Sequence, residues 1–429
     1  MQIKDVSITA NTERIPDGEV SIMTKQRGIN KSMLKAAILV LTFSQMATNG
    51  LSPAMADIAA QFPDAATSTI QFLMTLPGIF VVILSLISAW LTSIFPKKYL
   101  IGTGSICIIC TGVFGVLFHG SLQILFVWSS LMGIGMGLIS ALTISLISDY
   151  FDGQEKTNLM GLQTGVANVG GMIMTAVGGV LTTIVWQYDY LVYLIAVPGL
   201  LLLIFFVPKT SPEKSGETAG LAAGADTQGS KSGSFLKTGQ VWVYVVISMV
   251  LLFLFNAGPT NLSMYVEEFG IGNSAVSGMA ATIFLLGGTL MGILFGVFSR
   301  RLGRFTIPLG FVFMAAGFFL IQMRPDMISM YAGCFIAGMS ISLVSPQCIL
   351  QTSAFCRTSQ ELALSAAIIM ASSNVGTFLT PQLTNIAGAI SGSESTLYRF
   401  QTAIVLALVM GVVTLIFALA EKRRNTGEN

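Results

Sequence analysis

Catalysis and metal binding need acids, bases and nucleophiles gathered at fixed spacing, and this 429-residue chain scatters them. Its single histidine, His119, stands in a short polar break with no cysteine or acid beside it. The five cysteines, Cys107, Cys110, Cys334, Cys348 and Cys356, all sit in apolar sequence. Cys107 and Cys110 have CxxC spacing, but no second pair follows, so they read as small apolar side chains. HExxH, nucleophile-elbow and phosphate-loop patterns are missing, and the glycines of Gly133-Ile134-Gly135-Met136-Gly137 fall inside an apolar run, not after a strand. The chain is expected to be no enzyme and to need neither cofactor nor metal.

The remaining polar groups in apolar sequence are amides and hydroxyls. Gln45, Thr48 and Asn49 form one set; Asn256, Thr260, Asn261 and Tyr265 a second; Ser345, Gln347 and Gln351 a third. Such groups either bind a neutral ligand or bridge helices, at about 0.6 kcal/mol each. Pro53 beside Asn49, and Gly258-Pro259 beside Asn256, loosen their helices and free backbone groups, so these two amides are favoured for ligand contact. Asn168 and Asn374 are expected to be mainly structural.

The elements that must position these groups follow from composition. Hydrophobic residues make up 53% of the chain and charged residues 10%, against about 25% charged in a soluble domain. Charge-free windows recur, each long enough for the about 20 helical residues that cross a bilayer. They give six spans over 33–208, a Gly/Ser/Ala-rich linker over 209–237, and six more over 238–421. Residues 1–32 and 422–429 are polar tails. Threading the chain puts every Lys and Arg on one side except Arg324 and Arg399, which predicts cytoplasmic termini and linker in a multi-pass cytoplasmic membrane protein. Nothing in this banded charge suggests nucleic acid.

A lone charge at mid-bilayer costs at least about 2.5 kcal/mol, and by this threading none lies there. Asp57, Asp64, Asp189, Glu267, Glu268, Asp326 and Glu394 fall near one surface; Asp149, Asp152, Glu155 and Glu361 near the other. Asp57, at the end of span one, is the candidate for ion coupling.

The halves repeat. Asn49 pairs with Asn256 and Lys97 with Arg304, each 207 positions on, while Ala167-Asn168-Val169-Gly170 is echoed by Ser373-Asn374-Val375-Gly376. Six spans per half make the repeat parallel, about an axis along the membrane normal. Paired glycine-interrupted spans point to transport.

Four fragments carry a resemblance to the major facilitator superfamily. Gly296 to Arg304 is similar to its GxxxDRxGRR loop, with Arg300 in the Asp position and Arg301, Gly303 and Arg304 matching. The loop ending Lys97-Lys98 keeps the basic end. Leu125 to Gly135 resembles LxxxRxxxGxG, with Ser129 for the arginine. Gly161, Gly170, Gly178 and Gly179 follow the antiporter pattern of span five, which departs at Met174-Thr175; Pro381 fills the matching slot of span eleven. The resemblance implies an all-α integral membrane fold: twelve transmembrane helices in two six-helix bundles related by pseudo-twofold symmetry. It implies alternating access, with spans one, four, seven and ten lining a cavity and the glycine faces of spans five and eleven, including Gly376, sliding between bundles. Lys97, Arg300, Arg301 and Arg304 would latch the cytoplasmic side against Asp149 or Glu361. A monomer of the drug/metabolite efflux branch, exporting a small neutral or amphipathic solute, is expected. Uptake or exchange of a metabolite, and a non-transporting membrane sensor, are the alternatives.

Overall fold

The computed structural model describes residues 31–151, 153–207, 239–356, 359–392 and 395–426. The expected linker, most of the N-terminal tail and the last three residues of the C-terminal tail lie outside the described residues, as do Asp152, Arg357 and Glu394. The described residues form helices that group into twelve segments.

Segment α1 is in three pieces, Lys31–Thr42, a 3-10 stretch Phe43–Ala54, and Met55–Gln61. The helix breaks at Met46, and Pro53 follows seven residues later. Then come α2 (Thr67–Ile94), α3 (Lys97–Leu117), α4 (Leu122–Tyr150) and α5 (Gly153–Thr182). Segment α6 opens with a 3-10 stretch, Trp186–Ile195, and continues as Ala196–Phe206. Segment α7 is Gly239–Phe255 and Ala257–Glu268, parted at Asn256. There follow α8 (Ser274–Leu302), α9 (Thr306–Met323) and α10 (Met327–Ser353). Last are α11 (Ser359–Leu379 and Pro381–Ser391) and α12 (Thr396–Thr426).

Among the described residues nine stretches are long and apolar enough to cross a membrane, and one of them, Ser274–Met323, holds both α8 and α9. The turn between those two needs Gly303, whose φ of +55° side chains rarely adopt. Four segments start with a side-chain cap: Ser121, Asn273, Asp326 and Ser395 accept from the backbone N–H of Ile124, Val276, Ser329 and Leu397. Arg300 and Arg301 lie in the last turn of α8, where the helix dipole favours cations.

Each half builds its own core. Leu34, Leu73, Ile108, Leu146 and Tyr193 belong to the first; Tyr244, Leu251, Phe284, Phe318 and Phe400 to the second. Small residues let the backbones close. A Cβ on Gly135 would come within 2.6 Å of the Gly104 carbonyl in the α3–α4 seam, and one on Gly333 within 2.5 Å of the Gly317 carbonyl in the α9–α10 seam. The perimeter is apolar, with Ile293 and Phe205 about three-quarters exposed, as a lipid-facing surface requires.

Candidate functional site

A cavity of ≈ 280 Å³ lies between the two bundles. Gln45, Thr48, Asn49 and Ser52 reach it from α1, Asn168 and Thr175 from α5, and Asn256 from α7. Thr289, Ser342, Asn374 and Thr377 come from α8, α10 and α11. The remainder of its wall is apolar, with Met46, Met74, Met136, Phe255 and Phe284 among the larger side chains. Among the described residues that line it, none is charged.

Two broken helices aim the central amides. Asn49 lies in the 3-10 stretch of α1, its Nδ2 3.9 Å from the Met46 sulfur, a weak acceptor. Asn256 sits at the break of α7, where Nδ2 donates to the Leu252 carbonyl at 2.9 Å and to Thr377 Oγ1 at 3.1 Å. Gln45 donates to Thr143 Oγ1 at 3.0 Å, and so does Gln163. Asn168 and Asn374, expected to be structural, both line the cavity, although Asn374 also donates to the Met370 carbonyl.

Other candidates lie elsewhere. Thr260, Asn261 and Tyr265 are buried beyond the break in α7; Tyr265 donates to the Ile321 carbonyl, and Asn261 accepts from Gln71 at 2.7 Å. Gln347 accepts from Ser299 and Gln351 from Arg304. Ser345 is not among the lining residues; from α10 it is Ser342 and Ile341 that reach the cavity. The phase of the α10 face is hard to read from sequence, because Pro346 sits inside the helix.

Cross-bundle bonds close the cavity on the side away from the basic loops. Ser52 Oγ donates to the Pro259 carbonyl, Ser263 Oγ to the Pro53 carbonyl, and the Ala56 N–H to Ser263 Oγ. Ser274 Oγ donates to Asp57 at 3.0 Å, and Thr175 Oγ1 lies 2.8 Å from Thr282 Oγ1. Phe72 and Phe378 meet with ring centroids 5.5 Å apart.

The glycines divide by role. Gly179 packs across the bundles, a Cβ there coming within 2.7 Å of the Ser274 carbonyl. Gly170 instead packs α5 on Phe43 of α1, and Gly376 packs α11 on Met249 of α7, both inside one bundle. Gly178 faces Asp189. Gly161 lies in α5, and Pro381 starts the second piece of α11.

The residues expected to form the latch make their contacts as follows. Lys97 pairs with Asp149 at 2.7 Å, but both belong to the first bundle, joining α3 to α4. Arg304 bonds within the second bundle, Arg300 and Arg301 are exposed, and Glu361 is buried at the start of α11. Lys35 pairs with Glu155 at 2.5 Å, and its ammonium holds that carboxyl below the usual glutamate range. These contacts brace each bundle rather than joining the two.

Two of the ionisable residues that sequence placed near a surface are buried between helices: Asp189 is 0% exposed and Arg399 4%, each the fourth residue of its segment. Arg399 donates to Asn261 Oδ1 at 3.1 Å. Burial of Asp189 comes from the α1 3-10 stretch folding over α6, which no local pattern announces.

Comparison with known proteins agrees with this geometry. Residues 37–381 match the Major Facilitator Superfamily. An Arabidopsis thaliana protein described as "Putative glycerol-3-phosphate transporter 3" is 22% identical over 363 residues, covering 73% of this chain and 68% of its own length. A POT family transporter in complex with a thioalcohol-conjugated peptide shares the fold at a TM-score of 0.71 and 13% identity, over 90% of this chain and 96% of its own. A nucleoside transporter, NupG, does so at 0.69 and 13%, over 90% and 99%. The family covers both halves and the cavity between them, and the chain belongs to the Major Facilitator Superfamily, as a multi-pass membrane transporter.

Proposed function

We propose that this transporter carries a small neutral or amphipathic organic solute by alternating access, as a monomer in the cytoplasmic membrane. The observation that carries the reading is a cavity walled by amides, hydroxyls and methionines with no charged residue among the described lining. A phosphate ester carries close to two negative charges and is normally held by guanidinium or ammonium groups. The glycerol-3-phosphate in the relative's name therefore does not transfer to this cavity. With the basic loops cytoplasmic by the positive-inside rule, the cross-bundle bonds close the outer side, and this is the inward-facing state. Export is the direction favoured by the glycine pattern of α5.

Uptake or exchange down a gradient is the second reading, favoured because no titratable group is found among the described residues lining the cavity to carry a driving ion. The test begins with a thermal-shift screen of neutral, amphipathic and anionic solutes on the purified protein. The best stabiliser is then followed in energised proteoliposomes with and without protonophore. Stabilisation by anions alone would sink the neutral-cargo reading. Loss of export with protonophore supports antiport, and unchanged exchange supports the second reading. A stabilising solute that never crosses would leave a non-transporting binder.

A further inference from the structure

The Asp189 carboxyl is fully buried, and neither of its oxygens has a hydrogen-bond partner. The Tyr193 hydroxyl one turn on is likewise buried and unpartnered. Both face the 3-10 stretch of α1. A Cβ on Gly178 would collide with Asp189 Oδ1 and come within 3.0 Å of the Gly50 carbonyl, so both oxygens crowd one bare α-carbon. A Cβ on Gly50 would in turn touch the Tyr193 ring at 3.3 Å. An ionised carboxylate buried with no donor, and with a carbonyl oxygen crowding the same α-carbon, is costly unless it takes up a positive charge.

The titratable groups on the surrounding elements are few. Asp57, in the last piece of α1, is the charged group acting on the carboxyl, and it has the same sign. Tyr190 and Tyr193 lie on the same stretch of α6, Cys107 and Cys110 on α3, and His119 where α3 ends, edge-on to Trp186. Segment α5 brings Gly178 and Met174, and the 3-10 stretch of α1 brings Gly50.

We propose that Asp189 is a proton-binding site whose occupancy is required to close the outer half of the transporter. A proton suits the pocket better than a metal ion, because it needs one oxygen and no coordination shell, and Gly178 leaves no room. It arrives from the outer solvent while the halves are parted and sits on a carboxyl oxygen. The neutral acid is then covered by the kinked α1. Opening exposes the acid again, and the proton returns to the same solvent. Closure is therefore linked to uptake of one proton, and acidic pH favours the inward-facing state. The site rests on the alternating-access reading, but it does not depend on which solute is carried.

The test uses the full chain in nanodiscs, without its five native cysteines, spin-labelled at Gln61→Cys and Glu267→Cys. Both positions are exposed at the outer end and lie on segments that meet across the bundles. Between pH 5 and 9 the ratio of short to long distances is expected to fall with rising pH, by up to tenfold per unit for one linked proton. Asp189→Asn, which imitates the protonated acid, is expected to hold the short distance throughout, while Asp57→Asn keeps the pH response. A two-population distribution indifferent to pH, or an Asp189→Asn variant that still responds, overturns the proton site alone. So does a response to sodium in place of choline at fixed pH. A single distance unmoved by pH or by any stabilising solute would sink alternating access itself.

Discussion

Ser52 Oγ donates to the carbonyl of Pro259 at 2.5 Å, and the two residues are 207 positions apart. That is the spacing of the internal repeat, so each residue touches its own counterpart in the other half. Ala56 and Ser263 bond across the same interval. A residue can meet its equivalent only on the axis that relates the two halves, so these contacts mark that axis at the closed end of the cavity.

Loosening the axis is expected to shift the gate. Ser52→Ala removes one cross-bundle bond and Ser263→Ala removes two, each worth about 0.6 kcal/mol in a membrane interior. Ser52→Ala should raise the outward-open population about threefold and Ser263→Ala about eightfold, read as faster labelling of a cysteine placed on the outer side. Unchanged labelling in the double variant would mean that these bonds do not hold the gate.

Wedging the seam is expected to separate gating from folding. Gly179→Val meets the Ser274 carbonyl and the Gly278 α-carbon, which belong to the other bundle. It should leave melting temperature nearly intact while abolishing transport. Gly338→Val, pressed on the Phe284 carbonyl inside the second bundle, should instead lower the melting temperature sharply. Equal destabilisation by both would contradict a bundle-bundle seam at Gly179.

Binding is expected to be most sensitive at Asn49. Its amide is held only by a weak sulfur contact, whereas the Asn256 amide already makes two bonds to its neighbours. Asn49→Ala should weaken the best stabilising solute about fivefold, or about 1 kcal/mol, with no loss of fold. A titration by calorimetry or tryptophan quenching checks it; an unaltered Kd removes Asn49 from the site.

The Lys97–Asp149 pair is expected to brace the first bundle. Lys97 stands at the start of α3 and Asp149 near the end of α4, each at the helix end its charge disfavours. Removing Lys97 takes this ion pair from Asp149, whose side chain is 19% exposed, and losses of buried pairs run to about 3 kcal/mol. Lys97→Ala should therefore melt early. Swapping the charges, Lys97→Asp with Asp149→Lys, should restore stability by suiting both dipoles, and a swap that melts as early as Lys97→Ala would refute the account.

The Lys35–Glu155 pair supplies a pH test with the sign fixed. Lys35 depresses the Glu155 carboxyl, so the contribution is complete above the ordinary glutamate range and fades as pH falls through and below it. Glu155→Gln should be slightly less stable than wild type at neutral pH and equal to it in acid. Because both side chains are more than a third exposed, high salt should narrow the neutral-pH gap.

Much of the architecture was legible because lipid enforces it. Charge-free runs, basic loops and the 207-residue register of Asn49 with Asn256 are one-dimensional signals of a three-dimensional constraint. The two central amides were legible too, through Pro53 and Gly258-Pro259. What was hidden depends on helix rotation and on contacts between distant segments. Ser342 lines the cavity and Ser345 is not among its lining because of the turn of α10 about its axis. Asp189, flanked by Tyr188 and Tyr190, looks interfacial until α1 is folded over it. Gly170 and Gly178 match one motif, yet one receives Phe43 and the other a carboxyl.

That last contact leaves a mark on ancestry. The bare α-carbon of Gly178 is what admits the Asp189 side chain, so even alanine at 178 would evict it. Among descendants of the same gene the two positions should covary: lineages that keep the acid keep glycine, and only those that lost it are released to diversify at 178.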